Sequence, residues 1–288
     1  MGTIRELVDA VVAEVYGYTQ TIETNSYLTA PVSAADTEFL LADASNFSRG
    51  IVQVGDELVL VDLVDRGGNK LTCGTLSSRG LRGTTAASHA AGERVLMSPV
   101  VPRAQALSAI REILRSSGGL FVVATHTFTA SAAQRGYDLP AGVDDILSVS
   151  WQQPGPGQNW TKVRRWAHDR HNGQLVLSGS VLPGRTVRVV YSAPPTIPGV
   201  DDDFTDTGLP ESCLDVVKLG AAWKVTSHLE PFTLMPNTAE ADAMGRGKSP
   251  GTRISVARYL YQLYQVRLQE EVTALQNAHP ITVHWSQS

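Results

Sequence analysis

The chain has 288 residues, of which 42% are hydrophobic and 18% are charged, a composition typical of a folded protein and not of a disordered one. Its net charge of −4 at pH 7 argues against a protein that holds nucleic acid mainly through bulk positive charge. No apolar run reaches the roughly 18 residues that a membrane-spanning helix needs, so no membrane partner is expected.

An amphipathic helix is predicted at the start of the chain, over residues 3–16. Ile4, Leu7 and Val11 are spaced by three or four residues, which places them on one face of a helix. Residues 19–101 then change character, because short β-branched runs alternate with glycine-containing turns. This pattern indicates a small, compact β module.

The end of this module combines three glycines with two arginines, two threonines and one histidine. Residues 79–93 read Arg-Gly-Leu-Arg-Gly-Thr-Thr-Ala-Ala-Ser-His-Ala-Ala-Gly-Glu. The segment resembles the RG-x-x-GT-x-A-x-x-H-x-x-G sequence of small β modules in phage neck and tail proteins. His89 is expected to be a hydrogen-bonded structural residue. A metal-binding or catalytic role is the alternative, but no second ligand lies at a useful spacing.

A second helix is predicted over residues 103–117, because Pro102 suits a helix start and Gly118-Gly119 suits a helix end. The following segment, residues 120–204, has the two-residue alternation of β-strands. In one strand, for example, Val187, Val189 and Tyr191 alternate with other residues and should share one face.

The sequence predicts the types of two turns in this segment. Asn172-Gly173 is typical of a type I′ hairpin turn, in which both central residues need a positive φ. Pro183-Gly184 is typical of a type II turn, with glycine in the left-handed position.

The remainder of the chain is predicted to be mainly helical. Residues 210–229 form a helix that is apolar nearly all round, which indicates burial on several sides. Residues 252–278 form a long helix that ends before Pro280. Between them, Arg246 and Lys248 belong to a flexible basic loop. A phosphate-binding loop is the alternative there, but the sequence lacks one of its glycines and the preceding strand.

The last helix and the tail provide the predicted contacts with other proteins. An apolar stripe follows the helix in coiled-coil-like steps, and the tail after Pro280 has a short strand pattern. Such a tail is suited to pairing with a sheet edge, and Trp285 would be an anchor. The predicted portal or subunit interface consists of Tyr261, Tyr264, Leu268, Val272, Leu275, Val283 and Trp285.

Together these elements predict an α+β fold. A helical core is expected from the N-terminal helix, the central helices and the long C-terminal helix, with two inserted all-β modules. The expected segments are 1–18 and 102–118 for helices of the core, 19–101 for the small β module, 119–204 for the central β-sheet or sandwich module, 205–279 for the C-terminal helical region, and 280–288 for the tail.

The central segment resembles the head-to-tail adaptor (neck or connector) proteins of long-tailed bacteriophages. The resemblance rests on the order of residues 135–146, 173–177 and 185–195, followed by Leu209-Pro210 at a helix start. In the family pattern a Y-x-L-P segment opens a strand, a hydrophobic strand follows, and an r-Y-x-x-P-P segment closes a strand before a buried helix. The resemblance covers residues 103–230 and contains no catalytic motif.

This resemblance implies a function in virion assembly. It implies a dodecameric ring of copies of this chain beneath the portal protein, with a stopper or tail-tube/terminator protein below. Genomic DNA would pass through the lumen without sequence-specific binding. The expected location is the virion neck, at the head-tail interface, after assembly in the host cytoplasm.

Other functions have weaker support in the sequence. No G-x-S-x-G nucleophile elbow and no H-E-x-x-H motif appear, so neither an enzyme nor a cofactor is expected. His168 and His171 form a local histidine pair, but a solvated turn is favoured there over a metal site because no further ligand completes the set. Cys73 and Cys213 are expected to be buried free thiols, a disulfide being the alternative. A tail or baseplate protein that binds carbohydrate is the alternative function, with Trp151, Trp160 and Trp166 as a sugar platform. Core tryptophans are the simpler interpretation of these three residues.

Overall fold

The structure is a computed structural model and describes residues 2–18, 23–116, 119–153, 159–178, 181–229 and 252–280. Within these ranges the chain forms four α-helices and fourteen β-strands in four sheets. The helices are α1 Ile4–Gly17, α2 Arg103–Arg115, α3 Leu214–Leu229 and α4 Thr252–Ala278.

The chain divides into two compact units. Unit 1 contains Met1–Ile4, Arg111–Val217 and Gln262–Ser288, and unit 2 contains Arg5–Ile110 and Lys218–Tyr261. Each unit therefore combines β-sheets with helical segments.

The prediction of a helical core with two inserted all-β modules is wrong, because fourteen strands in four sheets form a large part of the described fold beside the four helices. Each β-rich region has an apolar cluster of its own. Two clusters of buried apolar side chains lie inside them, one formed by residues 28–97 and the other by residues 130–189. Apolar side chains of the helices are buried as well, for example Ile4, Ile110 and Val217, so helices and sheets both supply buried residues.

Unit 2 contains two antiparallel sheets with the strand orders β1-β7-β3-β4 and β2-β6-β5. Their inner side chains form the first cluster, in which Phe39, Val52 and Leu71 have no exposed surface. The short strands explain the glycine-rich turns of the sequence. Their bounds are β1 Asn25–Tyr27, β2 Glu38–Leu40, β3 Gly50–Val54, β4 Glu57–Val61, β5 Leu63–Asp65, β6 Lys70–Thr72 and β7 Arg94–Met97.

Unit 1 contains two further antiparallel sheets, with the orders β11-β10-β14-β8 and β12-β13-β9. Leu175, Val187 and Val189 are fully buried between them in the second cluster. The strands are β8 Val122–Thr129, β9 Gly136–Asp138, β10 Asp145–Gln152, β11 Trp160–Lys162, β12 Trp166–Asp169, β13 Gln174–Leu177 and β14 Thr186–Ala193.

Two local predictions in unit 1 need correction. The alternation predicted for β10 is interrupted, because a register shift between Ile146 and Ser148 lets both Ile146 and Leu147 be buried. The turn between β12 and β13 is not type I′, since Gly173 has a φ of 63° but Asn172 has no positive φ. Gly184 has a φ of 79°, as the predicted type II turn requires.

The predicted helices are present with small changes of boundary. Helix α3 begins at Leu214, after a short 3₁₀ turn over Glu211–Cys213, and not directly at Pro210. Both cysteines are free and buried, as predicted. No helix in the described ranges is long and apolar enough to cross a membrane.

Candidate functional site

Charged side chains, most of them buried, connect the glycine-rich segment at residues 79–93 with strand β4. They are Arg79, Glu57, His89 and Glu93, here called the Arg79 cluster. Arg79 donates to Glu57 through Nε to Oε1 at 2.8 Å and through Nη2 to Oε2 at 2.6 Å. His89 Nε2 lies 2.8 Å from Glu57 Oε2, and His89 Nδ1 lies 3.1 Å from Glu93 Oε1. Glu57 is therefore held between two basic side chains.

Arg79 and Glu57 also bind the backbone of the surrounding loops. Arg79 donates to the carbonyl groups of Asp36 at 3.0 Å and Ala87 at 2.6 Å. Glu57 accepts from the N–H groups of Gly80 at 3.2 Å and Ala87 at 3.0 Å. One ion pair thus connects strand β4 with three loop segments of unit 2. All of the donors and acceptors that face it are satisfied, as a buried charged pair requires.

The surroundings of Glu57 and His89 favour the charged forms of both side chains. Burial alone would raise the pKa of Glu57, but hydrogen bonds from His89 and Arg79 outweigh it and lower that pKa to about 2. Burial alone would lower the pKa of His89, but its bonds to Glu57 and Glu93 raise it overall. His89 is thus stabilised as an imidazolium between two carboxylates.

Other residues of the segment are explained by its backbone path. Gly80 has a φ of 65°, and a Cβ there would lie only 3.0 Å from the nitrogen of Ala86 and the carbonyl oxygen of Thr84. The hydroxyl of Thr84 accepts from the N–H of Leu58 at 3.1 Å and donates to the carbonyl of Leu81 at 2.8 Å. The segment is consequently a fixed loop, built by the residues that the sequence pattern contains.

His89 is hydrogen-bonded through both ring nitrogens, as expected from the sequence, and its structural role stays a prediction. Within the ranges that the structure describes, no group of three or more His, Cys, Asp and Glu side chains is arranged to hold a metal ion. Glu57, the residue at the centre of the cluster, was not predicted from the sequence. Its only signal was a lone carboxylate at the start of the otherwise apolar strand Glu-Leu-Val-Leu-Val.

The predicted interface residues of α4 lie in different surroundings. Tyr264, Leu268 and Val272 are buried within the chain, and Leu275 is half-buried. Val272 lies close to Gly119 in unit 1. A Cβ added to Gly119 would be 3.6 Å from the methyl groups of Val272. These side chains therefore stabilise the fold of the chain itself, and their assignment to an interface stays a prediction.

Other apolar side chains of α4 point outward. Tyr259, Tyr261 and Val266 have 50%, 40% and 57% of their surface exposed. Tyr261 also packs on Trp223 of α3, with ring centroids 4.7 Å apart. The remaining predicted residues, Val283 and Trp285 of the tail and Arg246 and Lys248 of the basic loop, lie outside the described residues.

The three tryptophans of the alternative sugar platform have structural contacts. Trp151 and Trp166 are half-buried and pack against the apolar cluster of unit 1. The guanidinium of Arg188 lies 4.3 Å from the ring centroid of Trp160. Contacts of this kind are typical of tryptophans that stabilise a β-sheet.

Among the described residues, each unit has a cleft with a mixed polar lining. The cleft in unit 2 has a volume of about 780 Å³, and its lining includes Arg5, Asp9 and Arg103. Arg103 is paired there with Asp9 and with Asp56, the latter at 2.7 Å. The cleft in unit 1 has a volume of about 540 Å³, and its lining includes His168 and Arg170. Arg170 forms an ion pair with Asp145.

Comparison with known proteins gives no family for this chain. No family model matches its sequence, and no curated protein matches it at a significant level.

Proposed function

We propose that the chain is a structural protein of a phage virion, a head-to-tail adaptor whose copies form a ring. The proposed partners are the portal protein above the ring and a stopper or tail-tube/terminator protein below it. Genomic DNA would pass through the lumen. In this proposal the chain is not an enzyme and acts through its surfaces, in the neck of the virion, after assembly in the host cytoplasm.

One observation carries the proposal, namely the structural position of the residues behind the resemblance. Tyr137 is buried in β9, and its hydroxyl accepts from the N–H of Ser131 at 2.8 Å. Tyr191 is buried in β14, and Pro195 is buried just after that strand. The two tyrosines of the pattern are thus buried within paired strands, and its last proline is buried where strand β14 ends.

The helix that follows agrees with the same pattern. Val216, Val217, Ala221, Ala222 and Val225 of α3 have no exposed surface. A helix with so many buried positions is apolar nearly all round, as the sequence indicated. The family pattern likewise continues from the closing strand into a buried helix, which supports the proposal.

The Arg79 cluster and the charge of the chain add further support. A loop that buried ion pairs hold in one conformation loses little conformational entropy when it docks on another protein, and preorganisation of this kind favours binding. The net charge of −4 suits a conduit, because a strongly basic lumen would retain DNA instead of letting it pass.

The mass of the assembly tests this proposal. Native mass spectrometry should detect a ring when the purified chain is measured alone or with the portal protein of the same phage. Twelve copies of the 30.9 kDa chain would have a mass of ~370 kDa. A chain that stays monomeric or trimeric in both measurements would contradict an adaptor function. Binding on a glycan array would support the carbohydrate-binding alternative instead.

A further inference from the structure

Strand β8, Val122–Thr129, is a long and regular strand at the edge of its sheet. All eight of its residues pair with β14 without a break in register, from Val122 opposite Ala193 to Thr129 opposite Thr186. Within the ranges that the structure describes, no strand pairs with its other side. Among the described residues, the outward N–H and C=O groups of β8 therefore have no partner strand, and an added strand can pair with them.

This edge lacks the features that usually prevent pairing between chains. Exposed edges are commonly short, or they carry a charged residue, a proline or a bulge. The sequence of β8 is Val-Val-Ala-Thr-His-Thr-Phe-Thr, which contains no Lys, Arg, Asp, Glu or Pro. The opposite edge strand of the same sheet, β11, has only three residues. The regularity of β8 is thus a property of this edge and not of the sheet in general.

The two faces of β8 define what a partner strand would need. Thr125, Thr127 and Thr129 are exposed on one face, whereas His126 and Phe128 are half-buried on the other. Phe128 and His126 lie opposite Val187 and Val189, which are fully buried. The apolar face of the sheet therefore continues to the edge without being fully covered. A strand with alternating apolar and polar residues would extend both faces.

We propose that this edge binds residues 281–285 of a neighbouring copy of the chain. These residues lie outside the described part and read Ile-Thr-Val-His-Trp. Added to β8, the segment would place Ile281, Val283 and Trp285 on the apolar face, and its two polar residues beside the threonines. The segment carries no formal charge with His284 neutral, which matches the uncharged edge.

The choice of a neighbouring copy rests on the proposed function. A ring requires two different surfaces on each copy, so that the contact repeats head to tail and closes. The β8 edge and the tail are such a pair. Pairing of β8 with β8 of a second copy would be symmetric and would stop at a dimer. Pairing of the tail with β8 of its own chain would leave neither surface for assembly.

Disulfide trapping tests which residues meet. One preparation of the chain carries Thr127→Cys. A second preparation carries Thr282→Cys or His284→Cys, which lie on the same predicted face as Thr127. The two preparations are mixed under conditions in which the ring forms. A disulfide-linked dimer on a non-reducing gel is expected, because directly opposed residues have suitable Cα distances. Val283→Cys is the matched control, since its side chain would point to the other face. The two native cysteines are buried.

Blocking the pairing tests whether it holds the ring together. Val283→Pro removes a backbone donor inside the proposed strand and should reduce the ring population by at least about tenfold. Ser286→Pro lies beyond the strand and should leave that population within about twofold. Neither substitution touches the described fold, so both chains should fold normally.

The outcomes separate this inference from the proposed function. If Val283→Pro still forms the ring as wild type does, or if crosslinks to Val283→Cys equal those to Thr282→Cys and His284→Cys, the pairing is wrong and the adaptor function stands. If a chain carrying both Thr127→Cys and Thr282→Cys closes a disulfide within the monomer instead, the tail binds its own edge and the inference is overturned. If the wild-type chain forms no ring, alone or with the portal protein, the proposed function fails and the inference fails with it.

Discussion

Glu57 and Arg79 form a bidentate ion pair in which both side chains are fully buried. The two residues are 22 positions apart in the sequence, and His89, which also binds Glu57, is 32 positions away from it. A single carboxylate therefore joins a strand to the glycine-rich loop of unit 2.

Substitution of Glu57 by glutamine should destabilise the protein strongly. Removal of one partner leaves Arg79 and His89 with uncompensated buried charge, and such changes cost roughly 3–5 kcal/mol. Chemical denaturation measures the free energy of unfolding. Glu38→Gln is the matched control, because Glu38 pairs with Lys70 at 2.9 Å on the surface, and exposed pairs contribute about 0–1 kcal/mol. Equal losses in the two variants would show that the buried cluster has no special importance.

The stability of unit 2 should depend on pH in two separate ranges. The folded pKa of Glu57 is about 2, below its unfolded value of roughly 4.3, so its stabilisation is present above that value and is lost as pH falls through about 2. The folded pKa of His89 is raised, so its stabilisation is present below roughly pH 6.5 and is lost as pH rises through the folded pKa.

Denaturation midpoints measured between about pH 2 and pH 9 should therefore decline at both ends. His89→Gln should remove the decline on the alkaline side that comes from the cluster. His171→Gln should leave the profile unchanged, since His171 is exposed in a turn. An alkaline decline that is identical in wild type and His89→Gln would contradict this assignment.

Local sequence patterns predicted the helices well but did not predict the cluster. Helix α4 covers the predicted residues 252–278, because the spacing of apolar side chains along a helix is a local property. Partners such as Glu57 and His89 meet only after the sheets form, and no local pattern encodes that meeting. The same limit explains the wrong fold class, since periodicity locates helices and strands but does not show that the sheets would have apolar clusters of their own.

Substitution of Gly80 by alanine should destabilise the protein. The residue has a φ of 65°, and an added Cβ would lie 3.0 Å from two backbone atoms, so the strain should cost about 1–3 kcal/mol. Gly17→Ala provides a control with the opposite sign. Gly17 ends α1 and has no atom within 4 Å of an added Cβ, so alanine there should be neutral or stabilising by up to about 1 kcal/mol. Thermal denaturation of both variants checks the difference, and a neutral Gly80→Ala would refute the fixed-loop description.

Two neighbouring residues of α4 allow a test of which face supports the fold. Leu268 has 7% of its surface exposed, so Leu268→Ala should lower the free energy of unfolding of the isolated chain by roughly 2–4 kcal/mol. Val266 has 57% of its surface exposed, so Val266→Ala should change it by no more than about 0.5 kcal/mol. Urea denaturation at low protein concentration gives both values without any contribution from assembly. If Leu268→Ala leaves the isolated chain as stable as wild type but weakens ring formation, Leu268 is an interface residue, as its sequence pattern predicted, and its burial within the chain is not needed for the fold.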